Sequence, residues 1–399
     1  MITGAIVSHY KSIHETSLRF RNINVIVGPN GSGKSNILDA LYFIRDCAVD
    51  DIDTAVTKRH GIDSLRQWSR TRPYNITIDI SFKNVDGSGN YKVVISSSKG
   101  QYRIVEETGY WIGPHPRDRY KNDVKPEDQT SHFKRDETGN LYIVSSMEDL
   151  NLNRLNSVEQ DELFLTFIAR RSPLVGYMPF KPIADEVTSF SKYNIYPNTL
   201  RQAQLVSKES TLLEDGSNLA SVLKRINSGR RFSANKEDII AALQAMMPIV
   251  SDFQVKSAAG FYVPVLRVQE NSGELHDFNL SQISDGTLRT LGLLAAFYQP
   301  NAPNRIGVEE PEQMIHPGAL TVLHEAITSF VTARTRRQRQ VFVTTHSPTF
   351  IDLFDPEDLI WARFNKGVTE CGHVKRRQLD VIKQQLFTAG ELLLAEGFF

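Results

Sequence analysis

Residues 28 to 35 read Gly-Pro-Asn-Gly-Ser-Gly-Lys-Ser, between the apolar run LRFRNINVIV (18–27) and the helically spaced ILDALYFIRDCA (37–48). This order of strand, glycine loop and helix restricts the fold more than any other feature of the chain. It fits G-x-x-x-x-G-K-[ST], in which glycines let backbone N–H groups wrap an anion and the helix N-terminus adds its dipole. In that pattern Asn30, Gly31 and Gly33 belong to the loop that cradles phosphate. The Lys34 ammonium reaches the β- and γ-phosphates of a nucleoside triphosphate, and the Ser35 hydroxyl ligates Mg2+.

The last third of the chain carries the same grammar. LRTLGLLAAFY (288–298) and ALTVLHEAITSFVTAR (319–334) have helical spacing, and PTFIDLF (348–354) reads as a short helix. RIGVEE (305–310), QVFVTT (340–345) and DLIWARF (358–364), the last read as the final strand, are short apolar strands between them. Such alternation implies a parallel sheet covered on both faces. Residues 2–8 (ITGAIVS) add a strand near the start.

From 74 to 146 the period changes. NITIDISF (75–82) and YKVVISS (91–97) flank KNVDGSGN, a hairpin signal, and QYRIVEE (101–107) and NLYIVSS (140–146) continue the series, so an antiparallel layer is expected. SVEQDELFLTFIARR (157–171), GSNLASVLKRIN (216–227) and KEDIIAALQAMM (236–247) read as helices, followed by strands in FQVKSA (253–258) and FYVPVLRVQE (261–270). The expected division is a discontinuous core from 1–150 and 250–399, with a helical insertion over 151–249. No heptad pattern lasts long enough for an extended coiled coil.

Two apolar strands end in chemistry. Strand 305–310 finishes in Glu309 and Glu310, which buried strands avoid unless the charges meet a metal or water. Glu309 is placed to hold Mg2+ through water, and Glu310 to polarise an attacking water. Strand 340–345 runs into His346, at the strand end where ligands of parallel sheets gather. Ser284 and Asp285 cap a helix expected to start near Thr287, an entrance suited to an anion yet far along the chain from the phosphate loop.

Lysine plus arginine equals aspartate plus glutamate at 46 each, so nothing global draws the chain to nucleic acid or anionic lipid. The basic run TARTRRQRQ (332–340) closes a helix and reads as a solvated face, with DNA or partner binding as the other reading. Cys47 and Cys371 have no metal-ligand spacing and fit a reducing compartment. No stretch approaches the roughly 18 apolar residues of a membrane span, and no secretory leader is evident, so a cytoplasmic protein is expected.

These motifs together resemble the ABC-class P-loop ATPases of the RecF/SMC/OLD-like group, in the compact type found in prokaryotic anti-phage systems. NINVIVGPNGSGKSNILDAL (22–41) is similar to that group's Walker A segment and ISDGTLRTLGLLAAF (283–297) to its signature helix. IGVEEPEQMIHP (306–317) resembles its Walker B and D-loop, and VFVTTHSP (341–348) its switch histidine. IYPNTLRQAQ (195–204) and LLEDGSNLASVLKRI (212–226) resemble the insertion of this subgroup.

The resemblance implies an α/β fold: an ABC-ATPase head with a mixed or parallel core sheet flanked by helices, an antiparallel β layer and a helical insertion arm. It implies ATP and Mg2+ as cofactors, Glu310 as the catalytic glutamate and His346 as the switch. Ser284, Asp285 and Gly286 match the signature that contacts the γ-phosphate bound by a partner subunit, so a head-to-tail homodimer is implied. Glu309 stands where such proteins more often carry Asp, and Asp285 replaces a signature glycine. Gln67 is a candidate for the Q-loop position, against a plain surface residue. Too little chain follows His346 for a TOPRIM nuclease domain of its own. The group points to a switch controlling an effector such as a TOPRIM or HNH nuclease. A RecF-like DNA-maintenance ATPase is the alternative, and a scaffold that binds ATP without turnover is a third reading.

Overall fold

The computed structural model describes residues 1–69, 74–113, 130–145, 158, 162–170, 180–209, 211–229, 232–270, 272–335, 337–395 and 398. The strand ahead of the phosphate loop, Ile23–Val27, lies between Gln340–Thr345 and Leu359–Asn365 and runs parallel to both. Arg305–Glu309 follows Gln340–Thr345 in parallel, and Phe190–Tyr193 closes that side, again in parallel. These strands read as unbroken apolar runs because both of their faces are covered.

The period of two along a strand sends alternate residues to two cores. Ile26, Phe342 and Ile360 meet Leu38, Leu41 and Phe43 of the helix that leaves the phosphate loop, Lys34–Val49. Val25, Val27, Val341 and Val343 meet Leu291 and Leu294 of helix Asp285–Tyr298, and Phe330 of helix Leu320–Thr332. The two sites of interest therefore start on opposite faces of one sheet.

On its other side Leu359–Asn365 turns into Val368–His373, which meets Ile13–Arg19, and the sheet becomes antiparallel from there. Ile2–Tyr10, Ile76–Asn84, Gly87–Ser98, Gln101–Ile112, Thr130–Arg135 and Leu141–Ser145 continue it to thirteen strands among the described residues. The antiparallel layer is thus continuous with the core sheet. In Ile76–Asn84 the inward residues are Ile76, Ile78, Ile80 and Phe82, as the alternation in the sequence requires.

Segment 151–249, expected to be a mainly helical insertion, also carries strands. Phe164–Arg170, Lys181–Thr188, Leu219–Ser228 and Ser233–Met246 are helices, but Phe190–Tyr193 is a strand of the main sheet. Gln204–Leu205 also pairs with Phe261–Gln269 in a second, four-stranded sheet. Boundaries at 151 and 249 therefore cut through both sheets. Four residues, Phe-Ser-Lys-Tyr, are too few to show a period, and propensity alone does not distinguish them from the helices around them. The expected helix over 157–171 is described only from Phe164 onward, its start lying largely outside the described residues. Among the described residues no helix is long and apolar enough to cross a membrane.

Candidate functional site: a phosphate loop, an acidic strand end and a histidine strand end

The loop is held from behind by the C-terminal hairpin. Gly33 has φ 94 and caps the helix, and a Cβ added there would lie 2.0 Å from Thr369 Oγ1. Thr369 Oγ1 donates to the Ser32 carbonyl at 3.1 Å and lies 2.7 Å from Ser12 Oγ. Asn36 Nδ2 donates to the same Ser12 hydroxyl at 2.7 Å. Only glycine provides both the left-handed backbone and the clearance for this approach.

In front of the loop is a cavity of about 410 Å3 lined by Ser12, Asn30, Gly31, Ser32, Gly33, Lys34, Ser35, Asn36 and Glu310. Lys34 Nζ folds back onto the loop, donating to the Gly28 and Pro29 carbonyls at 2.9 and 3.0 Å. Burial lowers the Lys34 pKa, while Glu310, Glu312 and Glu309 pull it upward with their charges.

The acidic strand end meets the loop from two strands away, beyond Gln340–Thr345. Ser35 Oγ donates to Glu309 Oε2 at 2.6 Å, and Glu309 Oε1 receives the Lys192 ammonium at 2.5 Å. A hydroxyl and a carboxylate are the hard oxygen donors that Mg2+ takes, with phosphate oxygens and waters completing its shell. Among the described residues no cluster of three His, Cys, Asp or Glu forms an all-protein metal cage. Lys192 comes from the short edge strand and was not visible as a site residue from the sequence.

Glu310 follows with φ 44, in the left-handed region. Its Oε1 is 3.8 Å from Lys34 Nζ and 3.4 Å from His346 Nδ1. Gln313 Nε2 donates to its other oxygen. Glu312 supports the histidine: its Oε1 accepts from Thr345 Oγ1 at 2.6 Å and from the His346 backbone N–H at 3.3 Å. Lys34, Ser35 and Glu310 thus line one cavity, with Glu309 hydrogen-bonded to Ser35 and His346 3.4 Å from Glu310 at its border.

The signature residues do not join them. Helix Asp285–Tyr298 begins two residues earlier than expected, with Ser284 as its cap accepting from Thr287 N–H at 3.3 Å. Arg201 ties down this entrance, binding Asp285 Oδ1 at 2.6 Å and the Ile283 carbonyl at 2.7 Å. Gly286 packs against the turn after Glu310, where a Cβ would lie 2.6 Å from Met314 O. Ser284, Asp285 and Gly286 do not line the phosphate cavity.

Gln67 also stays outside the cavity. It is buried, with Oε1 3.1 Å from His9 Nδ1 and 3.0 Å from His14 Nδ1. In the basic run, Arg337 pairs with Asp185 at 3.3 Å, and Arg339 lies 4.5 Å over the Phe330 ring. Two of its cations are therefore folded back onto the protein; Arg336 lies outside the described residues.

The fold and the loop with its two acidic and histidine strand ends define an ABC-class P-loop ATPase of the RecF/SMC/OLD group. Residues 23–352 match the family described as "AAA domain, putative AbiEii toxin, Type IV TA system", and the chain belongs to it. An ATP/GTP phosphatase of Helicobacter pylori is 22% identical over 381 residues, covering 89% of this chain and 88% of the relative. An OLD nuclease of Thermus scotoductus is 21% identical across 100% of this chain and 72% of its own length. A DNA replication and repair protein RecF of Francisella tularensis is 33% identical over 87 residues, 21% of this chain and 24% of that protein. Among solved structures, an Smc head bound to the C-winged helix domain of ScpA superposes with TM-score 0.52 at 14% identity, covering 93% of this chain and 96% of that one.

Proposed function

We propose that the chain is a cytoplasmic, Mg2+-dependent ATP-hydrolysing switch whose two heads close head to tail on nucleotide and control a partner effector, a TOPRIM or HNH nuclease being the expected kind. One observation carries the dimer: the anion-ready entrance at Ser284 lies outside the cavity formed by Lys34, Ser35 and Glu310. Each chain then holds half of two sites, and the entrance of one completes the cavity of the other. The whole-length likeness to an OLD nuclease supports an association with nuclease chemistry.

In this reading Lys34 neutralises the β- and γ-phosphates and the loop N–H groups hold them. Ser35 and Glu309 would hold Mg2+, which would supply positive charge beside the phosphate oxygens. Glu310 takes the proton of the attacking water, and His346 steadies the γ-phosphate with a ring N–H. The products are ADP and inorganic phosphate, with the water proton left on Glu310.

A RecF-like DNA-maintenance ATPase is the second reading, supported by the local likeness to RecF. Balanced charge, 46 cationic against 46 acidic residues, speaks against a DNA clamp. The test is Glu310→Gln, which should trap ATP and dimerise by light scattering without gaining affinity for duplex DNA. ATP-dependent DNA binding that weakens steeply with salt would favour the second reading. Ser284→Arg should bind ATP through Lys34 yet lose turnover; normal turnover in that variant would reduce Ser284 to a helix cap.

A further inference from the structure

Arg289 is 1% exposed on the helix that carries the Ser284 cap, in a stretch whose neighbours are otherwise mostly apolar. A guanidinium is rarely buried to this extent unless its N–H groups are paired. Here one is: Nη2 donates to the Glu310 backbone carbonyl at 3.1 Å. Nε and Nη1 are buried without a hydrogen-bond partner, and the guanidinium lies 5.6 Å over the Tyr196 ring.

The peptide it reaches is strained. Glu310 has φ 44, a left-handed backbone that a non-glycine residue adopts at a cost and keeps only where the surroundings impose it. Bonds at both ends hold it. The Glu310 N–H donates to the Thr344 carbonyl at 2.8 Å, and its own carbonyl accepts from the Gln313 N–H and from Arg289 Nη2, each at 3.1 Å, Arg289 being the holder that comes from another element. The same helix touches the following turn again, at Gly286 against Met314 O. Glu312 Oε2 in that turn is also buried without a partner.

We infer that Arg289 is a positioning residue: by holding the Glu310 carbonyl it fixes the left-handed peptide that aims the carboxylate into the phosphate cavity. It thereby links that carboxylate to the seating of its own signature helix. A phosphate docking on Ser284 from a partner acts on the N-terminus of this helix, and Arg289, five residues on, reports its seating to Glu310. One chain then reads the nucleotide it receives in trans before it acts on the nucleotide it holds in cis. The inference rests on the reading of Glu310 as the group that takes the water proton.

The experiment compares Arg289→Met, Arg289→Lys and Glu310→Gln with the parent protein. The readouts are ATP affinity, dimer mass with ATP, kcat and KM, and the thermal transition. Arg289→Met should keep ATP binding, dimerisation, KM and the thermal transition while kcat falls about a hundredfold, the scale of a misplaced reacting group. Arg289→Lys, which still offers one N–H to the carbonyl, should recover most of that loss. Arg289→Met turning over within twofold of the parent, beside an inactive Glu310→Gln, overturns this inference alone. Loss of ATP binding or of the thermal transition together with turnover in both Arg289 variants also overturns it, as Arg289 would then merely support the fold. An active Glu310→Gln overturns the reading of Glu310 itself.

Discussion

The Lys192 ammonium sits 2.5 Å from Glu309 Oε1, while the other oxygen of that carboxylate takes the Ser35 hydroxyl at 2.6 Å. The carboxylate proposed to hold Mg2+ is thus already paired with a cation from the sheet edge. Lys192 is partly exposed and also lies 5.4 Å over the Tyr42 ring, so the pair is a modest one.

Removing this cation should strengthen the hold on Mg2+. In Lys192→Met the Mg2+ concentration that half-saturates ATP binding should fall about fivefold, equivalent to about 1 kcal/mol for a partly screened pair. Lys192→Arg should behave as the parent. The measurement is a Mg2+ titration of fluorescent-ATP binding, which needs no turnover. A midpoint that stays put or rises would leave Lys192 as a packing residue on Tyr42.

How far the site could be read from the sequence follows from how local each residue's reason is. Lys34 and Ser35 belong to a pattern complete within eight residues, and Glu309, Glu310 and His346 sit at the ends of apolar strands that show themselves. Lys192 gives no such sign, because its strand is four residues long and surrounded by helices. Thr369 lies in Val368–His373, whose Val-Thr-Glu-Cys-Gly-His has too little apolar alternation to read as a strand. Arg289 could have been noticed as a cation in an apolar helix, but its partner is set by tertiary packing alone. The sheet's thirteen-strand continuity was equally hidden, since it depends on that unread strand joining two readable halves.

The loop glycines should separate strain from crowding. Gly31, with φ 75, has nothing within 4 Å of an added Cβ, whereas at Gly33 the added atom would meet Thr369 Oγ1 at 2.0 Å. Gly31→Ala should cost only the left-handed backbone, about 1–2 kcal/mol. Gly33→Ala adds overpacking and should cost about 3 kcal/mol or more in all, breaking the Thr369 bond to Ser32 and losing ATP binding. Denaturant titration and ATP affinity of the two variants check this. Equal, mild losses at both positions would mean that the hairpin does not press on the loop.

Acid should reveal how the loop helix is tied to the turn that lines the cavity. Asp39 on helix Lys34–Val49 receives Arg59 Nε at 2.9 Å, Lys11 Nζ at 2.6 Å and the Tyr10 hydroxyl at 2.7 Å. Burial pushes its carboxyl up, but the charges of Arg59 and Lys11 outweigh this and hold it below its ordinary value. A carboxyl depressed in the folded state stabilises above its unfolded value of about 3.9, and that stabilisation is lost as pH falls toward the folded value. Asp39→Asn should therefore be less stable than the parent at pH 7, by about 2 kcal/mol for a charge-assisted cluster of this burial. The gap should narrow below pH about 4, as the parent's own carboxylate becomes protonated. Denaturant midpoints of both proteins between pH 7 and pH 3 check the sign, and a gap that stays constant with pH would show that Asp39 acts through its shape and not its charge. Because Lys11 precedes Ser12 of the cavity wall, the same variant should also weaken ATP binding at neutral pH.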